Sequence, residues 1–563
     1  MRPPSPPSRR PLHHPLNWLA LLIGLLLLGT AFPVAAARFQ GRIVDADTGL
    51  TLASRVYLRD ASGRWLFVQT TVPEGSALPY EEQWVPMSQS VERHTTLSAH
   101  PFQVELPAGA YELSIQRGKE YFPVTETLHI GTDPVSREFR LRRWIDLASR
   151  GWYSGETHVH RRLTELTNVM LAEDLNVAFP VTYWTIHAGQ APETAPSPLR
   201  KQPSPFGPRS DQGQTRIPID ATHVILPRNT EYEVFRVDGK PHLLGALFVL
   251  NHKSVFTQGV PPVRSVAEQA HREGALLDLD KHSWPWSMML VPIAKIDLFE
   301  LSNNSVWQTT FGFRQSPVPV PEYMHVEKDS NGLTEWGWID FGLQNYYALL
   351  NCGFNLQPTA GTASGVHPVP LGWSRVYVHL EGPFSPEAWI DGLKQGRSFV
   401  TTGPMLLARL DGRLPGERFP HADAQPHTYR LTGESLSARP LEALELFSNG
   451  ERLRSLTVIN ERTPAGAYRT GFAVDVPIGG SGWMILRSLE RQPDGRIRFA
   501  HTAPWHFMVP QKPLRPRREE IDTLIQRMTE EISRNRDVLA PSALAEFEEA
   551  RRIYESIKAN GVR

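Results

Sequence analysis

The stretch GWYSGETHVH, Gly151 to His160, decides how this chain is read. Strand side chains alternate between faces with a period of two, so an extended segment here projects His158 and His160 to the same side. Two imidazoles so placed can hold one metal ion. Neutral imidazole nitrogen is a good ligand for zinc, manganese or iron, and a pair on one strand is partly preorganised. The competing reading is a polar loop carrying two unrelated histidines, and the rest of the chain has to decide between them.

Downstream of Gly151, over 149–405, strands and helices alternate, which is the pattern of a parallel sheet with crossover helices. Helices are predicted over 165–175, 266–272, 341–350 and 386–394. Strands are predicted over 177–182, 275–279, 296–301, 375–379 and 398–401, with another starting at Phe354. Such units in series predict a barrel, and parallel barrels place their sites at the carboxyl ends of strands. Polar residues gather at those ends. Glu231 and Glu233 follow a strand at 222–226, and His242 opens the apolar strand 243–250. Asp278, Asp280 and His282 lie in GALLDLDKHSWPW with Trp284 and Trp286, and Gly361, Thr362, Ser364 and His367 share the glycine-rich turn TAGTASGVHPVPLG. An exposed carboxylate or a structural histidine explains any one of these alone. Their recurrence around successive strands favours a metal site, because such sites on barrels draw ligands from several strands. The Pro-, Ser- and Gly-rich segment 190–217 reads as an excursion over one barrel face, either a lid or a floppy insertion.

The flanks differ from the centre. Over 38–148, short alternating or β-branched runs separated by Asp47-Thr48-Gly49, Ala61-Ser62-Gly63 and Pro107-Ala108-Gly109 predict a small antiparallel sandwich. Short strands return over 406–512, where a second β-sandwich is the economical reading. In the tail, 513–563, Ile521, Leu524, Ile525 and Met528 fall at helical spacing and the pattern repeats after Pro541. Two helices are expected there, packing on the body or on a neighbouring copy in a homo-oligomer.

The 563 residues suggest three or four domains. With 59 Lys+Arg against 59 Asp+Glu, the net charge gives no global argument for a nucleic-acid or anionic-membrane partner. Arg9 and Arg10 precede an apolar run from Trp18 to Leu28, and Ala35, Ala36 and Ala37 come after it, so residues 1–37 read as a secretory signal. That run is too short for a comfortable permanent span, so removal near Ala36 or Ala37 leaves no membrane anchor. Cys352 is the one thiol, which excludes an internal disulfide. The expected address is periplasmic or secreted.

GETHVH, GALLDLDKHSWPW, IDLFELSNN, GTASGVHPVPLG and GRSFVTTGP together resemble the PHP (polymerase and histidinol phosphatase) superfamily, specifically the CehA/McbA-type metallohydrolases. The segments GRIVDADTGLTLASRVYLRD and VELPAGAYELSIQRGKEY resemble carboxypeptidase regulatory-like modules, which scaffold or bind. The first resemblance implies a distorted, seven-stranded β/α barrel, here flanked by two β-sandwich domains and a helical tail. It also implies one to three metals activating water against a phosphoester or carboxylic ester. Family roles map onto His158 and His160 as the first ligand pair, Glu231 as a bridging carboxylate, His282 as a later ligand, and Glu300. The chain departs from the pattern twice. Thr182-Tyr183-Trp184 stands where the family has Thr-Asp-His, and Ala363 follows Gly361-Thr362 where it has Asp, with His367 farther on. These losses argue against a full trinuclear site and for one or two ions of Zn, Mn or Fe. His187 could compensate only if its loop folds back.

The leading expectation is therefore an exported divalent-metal-dependent hydrolase of a small-molecule or glycan-like ester. His158, His160, Glu231, His282 and Glu300 would hold metal, Asp280 or His367 would orient water or protonate a leaving group, and Trp184, His242, Trp284 and Trp286 would wall the substrate pocket. The alternative is a catalytically degenerate barrel serving as an exported carbohydrate- or surface-binding protein. A nuclease lacks a basic stripe with interleaved aromatics, and Ser-His-Asp chemistry lacks a Gly-x-Ser-x-Gly elbow.

Overall fold

The computed structural model describes residues 36–84, 89–193, 211 and 213–563. The expected signal segment lies outside these except for Ala36 and Ala37, as does most of the excursion expected at 190–217. Ala36 and Ala37 open the strand Ala36–Asp45, with Ala37 buried. No helix among the described residues is long and apolar enough to cross a membrane.

The chain is multidomain and strand-rich. At its N-terminal end, Ala36–Asp45 pairs in parallel with Val135–Leu141 and antiparallel with Phe102–Pro107. A second sheet runs Ala77–Gln83, Val91–Leu97, Ser54–Asp60, Gly109–Gln116, Val124–Ile130. Alternation along these strands turns Phe39, Phe102, Val56, Leu113, Ile115 and Phe139 into one shared core, as a sandwich requires. The module is tied to the centre by a buried Arg55–Glu173 ion pair at 2.8 Å and by Arg117–Asp174 at 2.7 Å.

In the central region the strands divide between two sheets. Trp152–Val159 pairs in parallel with Val177–Pro180 and antiparallel with Arg375–His379, which in turn pairs with Ser398–Thr401. The second sheet runs Tyr183–His187, Thr230–Val237, Lys240–Leu250, Leu276–Leu279, Leu298–Ser302, Gln357–Ala360. Its pairings are mixed. Thr230–Val237 and Lys240–Leu250 form an antiparallel hairpin turned by Asp238-Gly239, both at positive φ (48° and 74°), which is the backbone such two-residue turns need.

The expected seven-stranded barrel is not a single closed ladder. At one margin Gln357–Ala360 runs beside Trp152–Val159, yet beyond Ala360 the chain swings away through Ala363 (φ 52°) and Gly365 (φ 107°). Only an isolated bridge, Val159 with Ser364, and single bonds such as Ala363 N–H to His158 O (2.8 Å) and His160 N–H to Ser364 O (2.9 Å) cross that seam. At the other margin Val181 N–H donates to Val159 O, and the Thr182 and Tyr183 amides donate to Asn229 O.

Helices cover the outside. Leu163–Glu173 and Arg264–Glu273 stop where Asp174 and Gly274 take left-handed backbone. Glu335–Asn351 starts a turn and a half before the predicted 341, because the Thr334 hydroxyl caps Gly337 N–H at 3.0 Å. The tail helices, Arg518–Asn535 and Pro541–Ala559, pack on the body of the same chain. Ile521, Leu524, Met528, Phe547 and Tyr554 join the central core, and Glu546 accepts the Val263 and Arg264 amides.

Toward the C-terminal sandwich the hydrogen bonding does not break. Ser398–Thr401 pairs antiparallel with Ile497–Thr502, so one sheet continues from the central region into 441–508. The sheet facing it contains Met405–Leu410, His427–Ser437 and Tyr468–Ile478.

Candidate metal centre

The seam between the two central sheets is where the histidine pair lies. Trp152–Val159 is buried along nearly its whole length, and alternation sends the His158 and His160 side chains to the same interior face. Their Nε2 atoms face each other at 3.2 Å. Glu231, from the strand Thr230–Val237 of the other sheet, brings Oε2 to 3.3 Å from His160 Nε2. On the far side of the ring, His158 Nδ1 lies 3.1 Å from Glu300 Oε2 and 3.6 Å from Asp280 Oδ1. Gly361 permits this approach: a Cβ there would collide with His158 and Glu300.

The tautomer is set by the neighbours. With a carboxyl group at its Nδ1, His158 carries its proton there and leaves the Nε2 lone pair aimed at His160. A histidine with one nitrogen held by a carboxyl group and the other free to bind is the usual form of a metal-ligating imidazole. His158, His160 and Glu231 place one donor atom each within 4.8 Å of the others, and His158, Asp280 and Glu300 do the same. All five side chains are buried. Burial holds His158 below its ordinary pKa, which favours the neutral form of the ring.

The carboxylates are pulled in different directions. Burial pushes Glu231 up to about 7, with His158 and Lys281 opposing. Burial, reinforced by the charge of Glu231, drives Glu233 well above the carboxylate range, and burial next to Asp280 does the same to Glu300. Asp280 goes the other way. Burial would raise it, but the ammonium of Lys281, bonded to its Oδ2, and the His158 ring hold it well below its ordinary value. Without an ion, Glu233 and Glu300 therefore hold their protons and Lys281 balances Asp280, whereas a divalent ion bound among these groups would favour the ionised carboxylates.

The centre opens into a cavity of about 340 Å³. Its polar wall includes Glu233, Lys281 and His367, and its apolar wall includes Trp84, Trp184, Phe235, Trp284 and Phe313. Trp184 lies 5.0 Å, ring to ring, from His160. His367 is kept neutral by burial, with its Nε2 3.0 Å from Asn304 Nδ2. With Nε2 accepting from Asn304, the proton of the neutral ring lies on Nδ1, and so lowered a pKa makes the ring a weak base, suited to orienting water by a hydrogen bond.

Three predicted site residues lie elsewhere. His282 points away from the pair: its Nδ1 meets Asn345 at 3.2 Å, and its ring packs among Phe299, Trp338 and Phe341. The strand ends at Leu279, and the chain then turns, with Trp284 N–H bonding Lys281 O, so the alternation that would have aligned His282 with Asp280 is lost. Trp286 is fully buried against Gly245 and belongs to the core. His242 Nε2 pairs with Asn535 Oδ1 at 2.7 Å on the tail, lining a separate depression with His187, so His187 does not compensate for the missing ligands.

Sequence reading missed Lys281, although it stands between Asp280 and His282, both singled out. It also missed Glu156, whose carboxylate accepts Thr362 N–H at 2.8 Å and pins the glycine-rich turn. Trp84 was missed because it comes from the N-terminal module, far away in the chain. No family model matches this chain, and a search of curated proteins gives no match.

Proposed function

We propose that this protein is a metal-dependent hydrolase whose ion is held by His158, His160 and Glu231, with Glu300 and Asp280 orienting His158 from behind. The observation that carries the reading is the convergence of two imidazole Nε2 atoms, 3.2 Å apart, with a buried carboxylate oxygen 3.3 Å from one of them. Two neutral nitrogens in that geometry repel unless a proton or a cation lies between them. A divalent ion bound there would lower the pKa of its bound water toward about 7 and polarise a carbonyl or phosphoryl oxygen. His367 faces the same cavity in its neutral form and serves to orient water, and the aromatic walls exclude bulk solvent. The resemblance to CehA/McbA-type proteins of the PHP superfamily supports an ester or phosphoester substrate. Export to the periplasm or beyond is part of the same reading.

Metal content tests it. The purified protein should carry near-stoichiometric Zn, Mn or Fe by elemental analysis, and changing His158 and His160 together to Ala should remove it. Metal retained unchanged by the double variant would end the assignment. The aromatic wall of Trp84, Trp184 and Trp284 also suits sugar stacking. A metal-loaded protein that leaves aryl esters, phosphomonoesters and phosphodiesters intact would therefore favour a carbohydrate-binding role.

A further inference from the structure

The carboxylate cluster already contains a cation, Lys281. Its side chain is buried, its ammonium is bonded to Asp280 Oδ2, and it forms part of the cavity wall 5.7 Å from the Trp284 ring centroid. We infer that the Lys281 ammonium takes the place of a second metal ion, so that the centre binds one divalent cation per chain. This rests on the metal reading proposed above and goes beyond it in fixing the number of ions and the residue that limits it.

Two observations carry it. The possible ligand triads, His158 with His160 and Glu231, and His158 with Asp280 and Glu300, share one imidazole. A neutral imidazole has a single lone pair. With Nδ1 at 3.1 Å from Glu300 and Nε2 aimed at His160, that pair serves the first triad, and a second ion would rest on the carboxyl groups of Asp280 and Glu300 with water, at the place where the Lys281 ammonium stands. Asp280, in the second triad, is ion-paired through Oδ2 with the Lys281 ammonium, which already balances its charge. A second divalent ion would have to displace the buried ammonium or sit beside it, and like charges in a dry site repel strongly. Lys281 thus presents a fixed positive group next to the ion, facing the space where negative charge on a reacting oxygen would develop.

The number of ions bound is the direct readout. Full-length protein stripped with chelator and titrated with Zn²⁺ should saturate at one ion per chain. Lys281→Gln should rise toward two, and Lys281→Arg should stay at one. A wild-type ratio of zero would remove the metal centre itself. A wild-type ratio of two would overturn the role of Lys281 while leaving the metal reading standing, and so would a folded Lys281→Gln that stays at one. Should Lys281→Gln fail to fold, Mn²⁺-saturated wild type decides by electron paramagnetic resonance. An isolated six-line signal is expected, and a spin-coupled dinuclear spectrum would overturn the inference.

Discussion

Glu231 and Glu156 illustrate how single buried carboxyl groups set the pH response. Burial raises Glu231 to about 7, and it raises Glu156 to about 8 against the bonds from Thr362 and Gly372. A carboxyl group with a raised folded pKa keeps its proton when the unfolded chain has lost it, so stability falls as pH climbs toward the folded pKa. The histidines act oppositely. Burial lowers His282 and His501 to about 3 and His252 to about 4, so below about pH 6.5 the unfolded chain takes up protons that the folded chain refuses. Metal-free protein should therefore be most stable near about pH 6.5. Between there and pH 8 the carboxyl groups dominate, and Glu156 alone contributes a loss of about 2 kcal/mol. Calorimetry from pH 5 to pH 9 should show this maximum, and Glu156→Gln should flatten the alkaline limb. Bound metal should flatten it too, because the ion stabilises ionised Glu231. A melting temperature of the metal-free protein that keeps rising through pH 8 would contradict this account.

Among the elements, the strand Ala77–Gln83 links the N-terminal sandwich to the site. The Tyr80 hydroxyl accepts Gly365 N–H at 3.0 Å and donates to His367 O at 2.9 Å, so a module read from sequence as scaffold holds the glycine-rich turn in place. Tyr80→Phe removes both bonds and should cost about 1–3 kcal/mol in denaturant unfolding while leaving metal content unchanged. Loss of metal in that variant would mean the turn positions the ligands themselves. Elements with a clear period were legible in the sequence. The helix Arg264–Glu273 with its Gly274 stop, the strand carrying His158 and His160, and both tail helices fall close to where periodicity and caps put them. The period of two put His158 and His160 on one face, whereas Glu231 and Glu300 came from the family resemblance, Glu231 having been read after a strand at 222–226 and lying in fact on Thr230–Val237. His282 was not legible, because its face depends on where the strand stops, and a strand end one residue before Asp280 is fixed by tertiary packing. Tyr80 and Trp84 leave no local signal at all, since their partners lie more than two hundred residues away. The antiparallel hairpin could have been found from Asp238-Gly239, a turn pair that outweighs the general rhythm of strand and helix.

At the scale of the whole molecule, the central region depends on the C-terminal sandwich and the tail. The sheet carrying the histidines continues through Ser398–Thr401 into Ile497–Thr502, so cutting the chain at 405 exposes an unpaired strand edge. The tail covers another face. Ile521, Leu524, Met528, Phe547 and Tyr554 are buried against the core, and the Tyr554 hydroxyl donates to Met288 O at 2.7 Å. Each such side chain is worth about 1.5–3 kcal/mol of burial, and five of them together rival the roughly 5–15 kcal/mol that holds a typical domain folded. Residues 149–405 expressed alone should therefore aggregate or melt without a cooperative transition, whereas the same region within the full chain should unfold cooperatively. Phe547→Ala in the full chain isolates the tail's share, with an expected loss of about 3–5 kcal/mol. A monomeric 149–405 segment with a sharp calorimetric transition and one bound metal would show that the central region is an autonomous domain. The shared sheet and the tail helices would then be attachments to it, not parts of its core.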